Sequence, residues 1–252
     1  MPTMDGARSL GLLLSASASL FACRPAGEAD TGTAAPQVLL YDGIGTSPGD
    51  VAAVAAVLRE NRIAFARAGS AAIEAMPPAA LGAYRLIVVP GGDFVAMADG
   101  MSAATVARMR GAVASGTGYL GICAGGFVAG RFLGRGLDLT GAKFGFYAAA
   151  AQGIRKAAVP ISTPGEPPLD HYWEDGPRFD GWGATIARYP DGSSAGAEGQ
   201  FGKGRVILVG FHAEAPESWR RGLAFRTSAR DDNAYAGRLV RAALGGRALP
   251  HY

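Results

Sequence analysis

The sequence predicts a single α/β domain in which a mostly parallel sheet is covered by helices on both faces. Short runs that are apolar at every position alternate along the chain with segments that favour helices, which is typical of parallel strands buried between helices. The chain has 252 residues, of which 49% are hydrophobic and 18% charged, enough for one full core and too few for two large domains. Its 38 glycines fit a fold with many tight strand-to-helix turns.

Strands are predicted where the apolar runs lie, at 37–41, 64–68, 85–89, 119–122 and 205–211. The carboxyl ends of parallel strands meet at one edge of the sheet, so chemistry is expected just after these runs. Segment 137–190 is less regular, and we expect it to hold short antiparallel strands and loops.

Helices are predicted between the strands, because residues that favour helix N-termini precede several of these segments. The predicted helices are 50–60, with Gly49 or Asp50 near the N-cap, 102–114, with Ser102 as N-cap, 124–132, and 231–244, with Asp231 or Asp232 near the N-cap.

The N-terminal segment is predicted to be a targeting signal rather than part of the folded domain. Residues 9–22 are apolar and uncharged and follow Arg8, which fits the apolar region of a signal peptide and is short for a membrane span. The run ends in Leu20-Phe21-Ala22-Cys23, which resembles the cleavage box of bacterial lipoproteins. That resemblance implies a signal peptide at 1–22, lipid on Cys23 and a membrane anchor in the cell envelope. The alternatives are an ordinary signal peptide or an apolar helix with an incidental cysteine.

A tether is predicted between the anchor and the fold. Residues 23–36 are mostly small and polar and contain proline, which favours a flexible linker, so the folded domain is placed at 37–252. If Cys23 carries lipid, Cys123 has no cysteine partner in the chain. Reactivity is then a reason to keep a free thiol in an oxidising compartment.

The strongest chemical signal is the segment GYLGICAGG at 118–126. Within it, Gly121 and Gly125 flank Cys123 at a distance of two residues, which is the cysteine form of a nucleophile elbow. Such a turn places the thiol at a helix N-terminus, which favours the thiolate, and the N–H of Ala124 can donate to an oxyanion. The alternative is a buried cysteine in a glycine-rich turn.

Two other strand ends carry supporting residues. After 85–89, the chain continues as Pro-Gly-Gly, and the N–H of Gly92 is predicted to complete an oxyanion hole beside Cys123. After 205–211, His212 is predicted to be the general base for the thiol, with Glu214 orienting its imidazole.

Charge argues against a nucleic-acid partner. The net charge is +3, and the densest basic group, Trp219-Arg220-Arg221, is short and predicted to be a solvated helix face. A nucleic-acid-binding surface requires a broader basic patch.

The order Cys123, His212, Glu214 resembles that of class I glutamine amidotransferases and their relatives. Four segments narrow the resemblance to the N-terminal domain of biotin–protein ligases, a type that also occurs as stand-alone bacterial proteins. These segments are 41–49, 90–93, 118–126 and 210–214. The resemblance covers nearly all of 37–245 and implies a flavodoxin-like, class I glutamine amidotransferase-like fold. It implies no known reaction.

The sequence departs from true glutaminases at two positions. They carry glutamine four residues after the cysteine, where this chain has Phe127, and usually proline between the histidine and the glutamate, where it has Ala213. No biotin-ligase catalytic domain follows in the sequence. Neither glutamine hydrolysis nor biotin transfer is therefore expected.

Three functions fit these observations. The first is a cysteine hydrolase acting on an amide or ester in the cell envelope, with Asp93 and Tyr172 contacting the substrate. The second is a ligand-binding or accessory lipoprotein that keeps the amidotransferase-like pocket without the reaction. The third is a redox-sensing thiol domain, which needs no His–Glu pair. No cofactor and no metal are predicted, and the sequence does not indicate an oligomeric state.

Overall fold

The computed structural model describes residues 29–30, 35–131, 135–147, 153 and 155–252. The predicted signal peptide, Cys23 and most of the predicted tether lie outside the described residues. The strands are β1 (Ala29–Asp30), β2 (Val38–Tyr41), β3 (Phe65–Ala68), β4 (Leu86–Val89), β5 (Gly118–Ile122), β6 (Gly145–Phe146), β7 (Lys156–Thr163), β8 (Glu166–Glu174), β9 (Pro177–Arg178), β10 (Ala184–Arg188), β11 (Ser194–Phe201) and β12 (Gly204–Val209). The helices are α1 (Pro48–Glu60), α2 (Ser70–Ala75), α3 (Pro78–Gly82), α4 (Phe94–Gly100), α5 (Ala103–Ser115), α6 (Ala124–Ala129), α7 (Glu217–Arg220) and α8 (Ala229–Gly245).

Ten strands form one sheet in the order β1-β3-β2-β4-β5-β12-β11-β10-β7-β8. Its centre is parallel, because β3, β2, β4, β5 and β12 all run in one direction, and their order is that of flavodoxin-like folds. The predicted α/β fold with a mostly parallel central sheet is confirmed. β1, which comes from the predicted tether, pairs antiparallel with β3 at one edge.

Antiparallel strands extend the sheet beyond β12. β11, β10, β7 and β8 follow one another in antiparallel pairs, so the irregular segment 137–190 contains longer strands than the short ones expected. A bridge joins Tyr172 of β8 to His212, just after β12. The extension therefore brings β8 to the carboxyl end of the parallel strands.

The core lies on both faces of the parallel strands, as alternation along each strand requires. On one face, Val54 and Leu58 of α1 and Leu239 of α8 pack against alternate residues of β2, β4 and β5. On the other face, Met97 of α4, Met109 of α5 and other residues of α2, α3 and α6 cover the remaining positions. Each central strand is thus apolar at every position because helices bury both of its sides.

Several predicted helix boundaries were wrong. α1 begins at Pro48, with Ser47 as N-cap, so Asp50 lies inside the first turn and its side chain is free for another contact. α8 begins at Ala229 after the N-cap Ser228, and Asp231 and Asp232 are first-turn acids. Ser102 caps α5 as predicted, whereas α6 ends at Ala129. Among the described residues, no helix is both long enough and apolar enough to cross a membrane.

Candidate active site

The three predicted strand ends converge on one cavity of about 840 Å³. It lies where β4, β5 and β12 end, which is where parallel sheets place their chemistry. The cavity is lined by Ser47, Gly49, Asp50, Gly92, Asp93, Phe94, Cys123, Ala124, Phe127, Phe146, Arg155, Lys156, Tyr172, Glu174, Asp175, His212, Ser218, Trp219 and Arg221. All the predicted site residues of the folded domain except Glu214 are in this set, and Glu214 contacts it through His212.

Cys123 occupies a strained turn. Its φ is 48° and its ψ is −108°, a conformation that a residue with a Cβ atom rarely adopts. A Cβ atom on Gly121 would lie 2.5 Å from the carbonyl oxygen of Gly125, and one on Gly125 would overlap the carbonyl oxygen of Val89. The glycines that flank Cys123 are therefore required by close backbone approach, as the elbow pattern predicts.

The thiol of Cys123 is held close to two partners. It is 6% exposed, and it donates to the carbonyl oxygen of Glu174 at 3.6 Å. The same thiol interacts with the imidazole of His212. The sulfur therefore lies near both a backbone acceptor and a group that can take its proton.

His212 is fixed by its backbone and by its ring. Its N–H donates to the carbonyl oxygen of Tyr172 at 2.8 Å, and its Nδ1 lies 2.9 Å from Oε1 of Glu214. The rings of Tyr172 and Trp219 pack edge-on against the imidazole, with centroids 5.8 and 5.7 Å from that of His212. The contact with Glu214 orients the ring so that Nε2 is free for Cys123.

The electrostatics favour a charged imidazole. Burial by itself would lower the pKa of His212, but Cys123 and Glu214 outweigh burial and raise it well above its usual value. A protonated imidazole beside a thiol stabilises the thiolate, which is the nucleophilic form of cysteine. The arrangement therefore sets a protonated imidazole beside the Cys123 thiol.

Asp50 is a site residue that sequence reasoning missed. Its Oδ1 lies 3.2 Å from Nδ1 of His212, and the residue is 8% exposed. The sequence predicts Gly49 or Asp50 near the N-cap of this helix, whereas Ser47 fills that role in the structure. The signal that could have identified it is its position in the first turn of α1, the helix that follows β2, at the carboxyl edge of the sheet.

The Pro-Gly-Gly segment makes room for this carboxylate. A Cβ atom on Gly91 would overlap Oδ1 of Asp50 and would lie 2.7 Å from Cε1 of His212. Gly92 has a φ of 143°, which favours glycine, and a Cβ there would overlap the carbonyl oxygen of Gly45. The first glycine admits the acidic group and the second allows the turn.

Gly92 and Ala124, whose N–H groups are the predicted oxyanion donors, both line the cavity. Their neighbours are already engaged, since the N–H of Asp93 donates to Gly45 and that of Gly125 donates to Pro90. Neither of the two predicted donors bonds a backbone carbonyl in the described part of the chain. Both are therefore available to an anionic oxygen.

The two predicted substrate contacts also have structural partners. Oδ1 of Asp93 accepts the N–H groups of Val95 and Ala96 at 2.9 and 3.0 Å, which caps α4. The hydroxyl of Tyr172 donates to Oε2 of Glu174 at 2.5 Å. Both side chains line the cavity but are held by the protein itself.

The prediction that Trp219-Arg220-Arg221 forms a solvated face was wrong. Arg220 is 5% exposed, bonds Oδ2 of Asp232 at 3.2 Å and packs over the ring of Phe225. Trp219 lines the cavity. Only Arg221 of the three is exposed, because Arg220 contacts α8 and Trp219 faces the cavity.

Asp50, His212 and Glu214 also form a cluster whose ligand atoms lie within 4.8 Å of one another. Imidazole and carboxylate groups suit several divalent cations. A cation bound there would displace the proton of Nδ1, on which the contact between His212 and Glu214 depends.

One family model matches part of this chain. Residues 36–153 match a family model described as "Biotin-protein ligase, N terminal". The family resemblance is confirmed over these residues. The match to the biotin-protein ligase N-terminal model includes β2 to β5 and Cys123, and it ends before His212 and Glu214. No match was found among the curated proteins.

Similar solved structures show the fold. The chain resembles a glutamine amidotransferase with a TM-score of 0.56 and 17% identity, covering 81% of this chain and 98% of that one. An exo-beta-1,4-mannosidase, Op5Man5 from Opitutaceae bacterium strain TAV5, gives a TM-score of 0.52 and 17% identity, covering 83% of this chain and 36% of that one. A catalytic mutant of the GH42 beta-galactosidase Gan42B from G. stearothermophilus gives a TM-score of 0.53 and 15% identity, covering 82% of this chain and 30% of that one. The chain thus spans about a third of each glycosidase and nearly the whole amidotransferase.

Proposed function

We propose that the protein is a cysteine-dependent hydrolase of an amide or ester, anchored in the cell envelope. The observation that carries the proposal is Cys123, held in a strained elbow beside His212, whose Nδ1 is 2.9 Å from Oε1 of Glu214. Nucleophile, proton carrier and orienting carboxylate are the three parts of a cysteine hydrolase. A purely structural cysteine has no need of such an elbow.

The reaction proceeds in two halves. The thiolate of Cys123 attacks the carbonyl carbon, and the N–H groups of Gly92 and Ala124 stabilise the oxyanion. The C–N or C–O bond then breaks, the leaving group takes a proton from His212, and a thioester remains on Cys123. In the second half, His212 removes a proton from water, which attacks the thioester and releases the acid and the thiolate.

The test is alkylation of Cys123 by iodoacetamide in the full-length protein, located by peptide mass mapping and followed from pH 5 to pH 9. We expect rapid alkylation at pH 7 that slows at least about tenfold in His212→Ala, because loss of the imidazolium removes a partner of the thiolate. His251→Ala, which changes an exposed histidine, is the matched control and should leave the rate unchanged. An inert thiol, or equal rates in wild type and His212→Ala, would sink the hydrolase proposal.

The binding alternative draws on a different observation. The thiol donates to the carbonyl oxygen of Glu174, a contact that suits a neutral thiol, and the cavity could hold a ligand without reacting with it. Cys123→Ala separates the two functions. A hydrolase loses turnover with this substitution, whereas a binding protein keeps its ligand affinity and shows no turnover in wild type.

The anchor rests on the N-terminal sequence. Support comes from the apolar run 9–22 and the segment Leu20-Phe21-Ala22-Cys23. We expect bacteria expressing the full chain to incorporate labelled palmitate into it and to lose the label with Cys23→Ser. Cys123→Ser is the control, since it removes the other cysteine. Label that persists in Cys23→Ser would show that lipid is not attached at this residue.

A further inference from the structure

We infer that the cavity selects acyl groups that carry an aryl or alkyl side group, which three phenylalanine rings hold beside Cys123. These rings, Phe94, Phe127 and Phe146, are called the aromatic wall here. The inference names the substrate class of the proposed hydrolase and rests on that function for its chemistry. Its binding component can be measured without any reaction.

The aromatic wall is a connected cluster that lines the cavity. The rings of Phe94 and Phe127 stack with centroids 4.4 Å apart. Phe146 meets both edge-on, at 5.0 Å from Phe127 and 6.0 Å from Phe94. Such contacts fix ring orientation, so the wall presents a preformed apolar surface.

Phe146 is the member that a purely structural explanation does not cover. Phe127 is 4% exposed and Phe94 is half-buried, as expected for rings at the margin of a core. Phe146, in contrast, is 46% exposed and lies on the two-residue strand β6. A large apolar ring left open at the mouth of a cavity, beside two other rings, is typical of a ligand-binding surface.

The wall adjoins the reacting atoms. Phe94 follows the predicted oxyanion donor Gly92 by two residues, and Phe127 lies one helical turn after Cys123, on α6. A carbonyl whose oxygen points to the N–H groups of Gly92 and Ala124 therefore has this wall next to it. Phe127 also stands where true glutaminases carry a glutamine, so an apolar ring replaces an amide at that point.

Two of the charged groups that line the cavity already have partners in the protein. Arg155 pairs with Asp175 at 2.8 Å, and the hydroxyl of Tyr172 donates to Glu174. The zwitterionic end of an amino acid such as glutamine would have to compete with these contacts. An apolar acyl group makes no such demand and removes ring surface from water.

The experiment compares two amides as probes, 3-phenylpropanamide and propanamide, by titration calorimetry with the full-length Cys123→Ala variant. We expect the phenyl compound to bind at least about tenfold more tightly, since burial of a phenyl ring is worth more than 1.4 kcal/mol. Phe146→Ala in the same background should remove most of this preference. Tyr252→Ala, which removes an aromatic ring that is 50% exposed and outside the cavity lining, should not.

Equal affinities for the two amides, or a preference unchanged by Phe146→Ala, would overturn the inference. Wild-type kcat/KM for p-nitrophenyl 3-phenylpropanoate and p-nitrophenyl acetate then separates the two claims. If neither ester is hydrolysed but the phenyl amide binds through Phe146, the hydrolase proposal fails and the substrate selectivity stands. If both esters are hydrolysed equally and both amides bind equally, the hydrolase stands and the selectivity fails.

Discussion

Asp50 places Oδ1 3.2 Å from Nδ1 of His212, so two buried carboxylates face one imidazole nitrogen. Glu214 is nearer, with Oε1 2.9 Å away, and it accepts the ring proton. Oδ1 of Asp50 has no hydrogen-bond donor among the described residues. Asp50 therefore faces the ring without sharing its proton, while Glu214 both orients the imidazole and raises its pKa.

Substitution of the two acids should consequently have unequal effects. We expect Glu214→Gln to lower kcat/KM for a p-nitrophenyl ester by about 10²-fold or more, because it removes both orientation and charge. Asp50→Asn keeps the shape of the side chain and removes only its charge, so a smaller loss is expected. In both variants the pKa of His212 should fall, because an anion near the imidazolium is lost. A larger loss from Asp50→Asn than from Glu214→Gln would contradict this order.

The pH profile of ester hydrolysis should report His212. Cys123 and Glu214 overcome burial and raise its pKa well above 6.5, so the imidazolium that protonates the leaving group in the proposed mechanism persists through neutral pH. We therefore expect kcat/KM to fall only at alkaline pH, as His212 loses its proton. Steady-state rates from pH 5 to pH 10 measure this. An activity that declines near pH 6.5 would be inconsistent with the ion pair.

The elbow glycines should be intolerant of a methyl group. In Gly125→Ala the new Cβ overlaps the carbonyl oxygen of Val89, and we expect a loss of about 1–3 kcal/mol or more in the free energy of unfolding. The matched control is Gly111→Ala in α5, where a Cβ meets nothing within 4 Å. That substitution should stabilise the protein by up to about 1 kcal/mol, because alanine favours helices. Urea unfolding of both variants measures the difference, and similar values would argue against the tight elbow.

Two buried groups away from the cavity should give opposite pH dependence to stability. Burial lowers the pKa of His171 to about 3. Below about pH 6.5 the unfolded chain therefore binds a proton at this residue that the folded chain does not bind. Stability from this group is complete above pH 6.5 and is lost as the pH falls. Burial, partly offset by Arg220, raises the pKa of Asp232 to about 7. Above about pH 3.8 the folded chain therefore keeps a proton on Asp232 that the unfolded chain releases. The stability from this group is lost as the pH rises toward 7.

Between about pH 4 and pH 6.5 the two effects oppose each other. Nδ1 of His171 lies 3.7 Å from Oδ1 of Asp232, so each single substitution reports the sign of the remaining slope rather than its size. His171→Phe keeps the ring stacked on Phe211, where the centroids are 4.5 Å apart, and should leave a free energy of unfolding that falls as the pH rises. Asp232→Asn should leave one that falls as the pH falls. Either slope is at most about 1.4 kcal/mol per pH unit. Urea unfolding at several pH values gives the slopes, and slopes of the same sign would refute the assignment.

Much of the fold and part of the site could be predicted from local patterns. Runs apolar at every position identified β2, β4, β5 and β12, because burial on both faces leaves no polar alternation. The elbow at Cys123 was visible because close backbone approach permits only glycine at Gly121 and Gly125. Helix starts were less certain, since Ser47, Gly49 and Asp50 are all acceptable capping residues and only the hydrogen bond identifies the N-cap.

The sequence by itself determined the layered α/β architecture, the family resemblance and the positions of Cys123 and His212 at the ends of two neighbouring strands. Each of these depends on spacing along one segment or on the order of segments. Only the tertiary structure decided that Asp50 faces His212, that Arg220 is buried and that three phenylalanines from α4, α6 and β6 form one wall. Those contacts join residues that are far apart in the chain, and sheet topology, which no local pattern encodes, sets their distances.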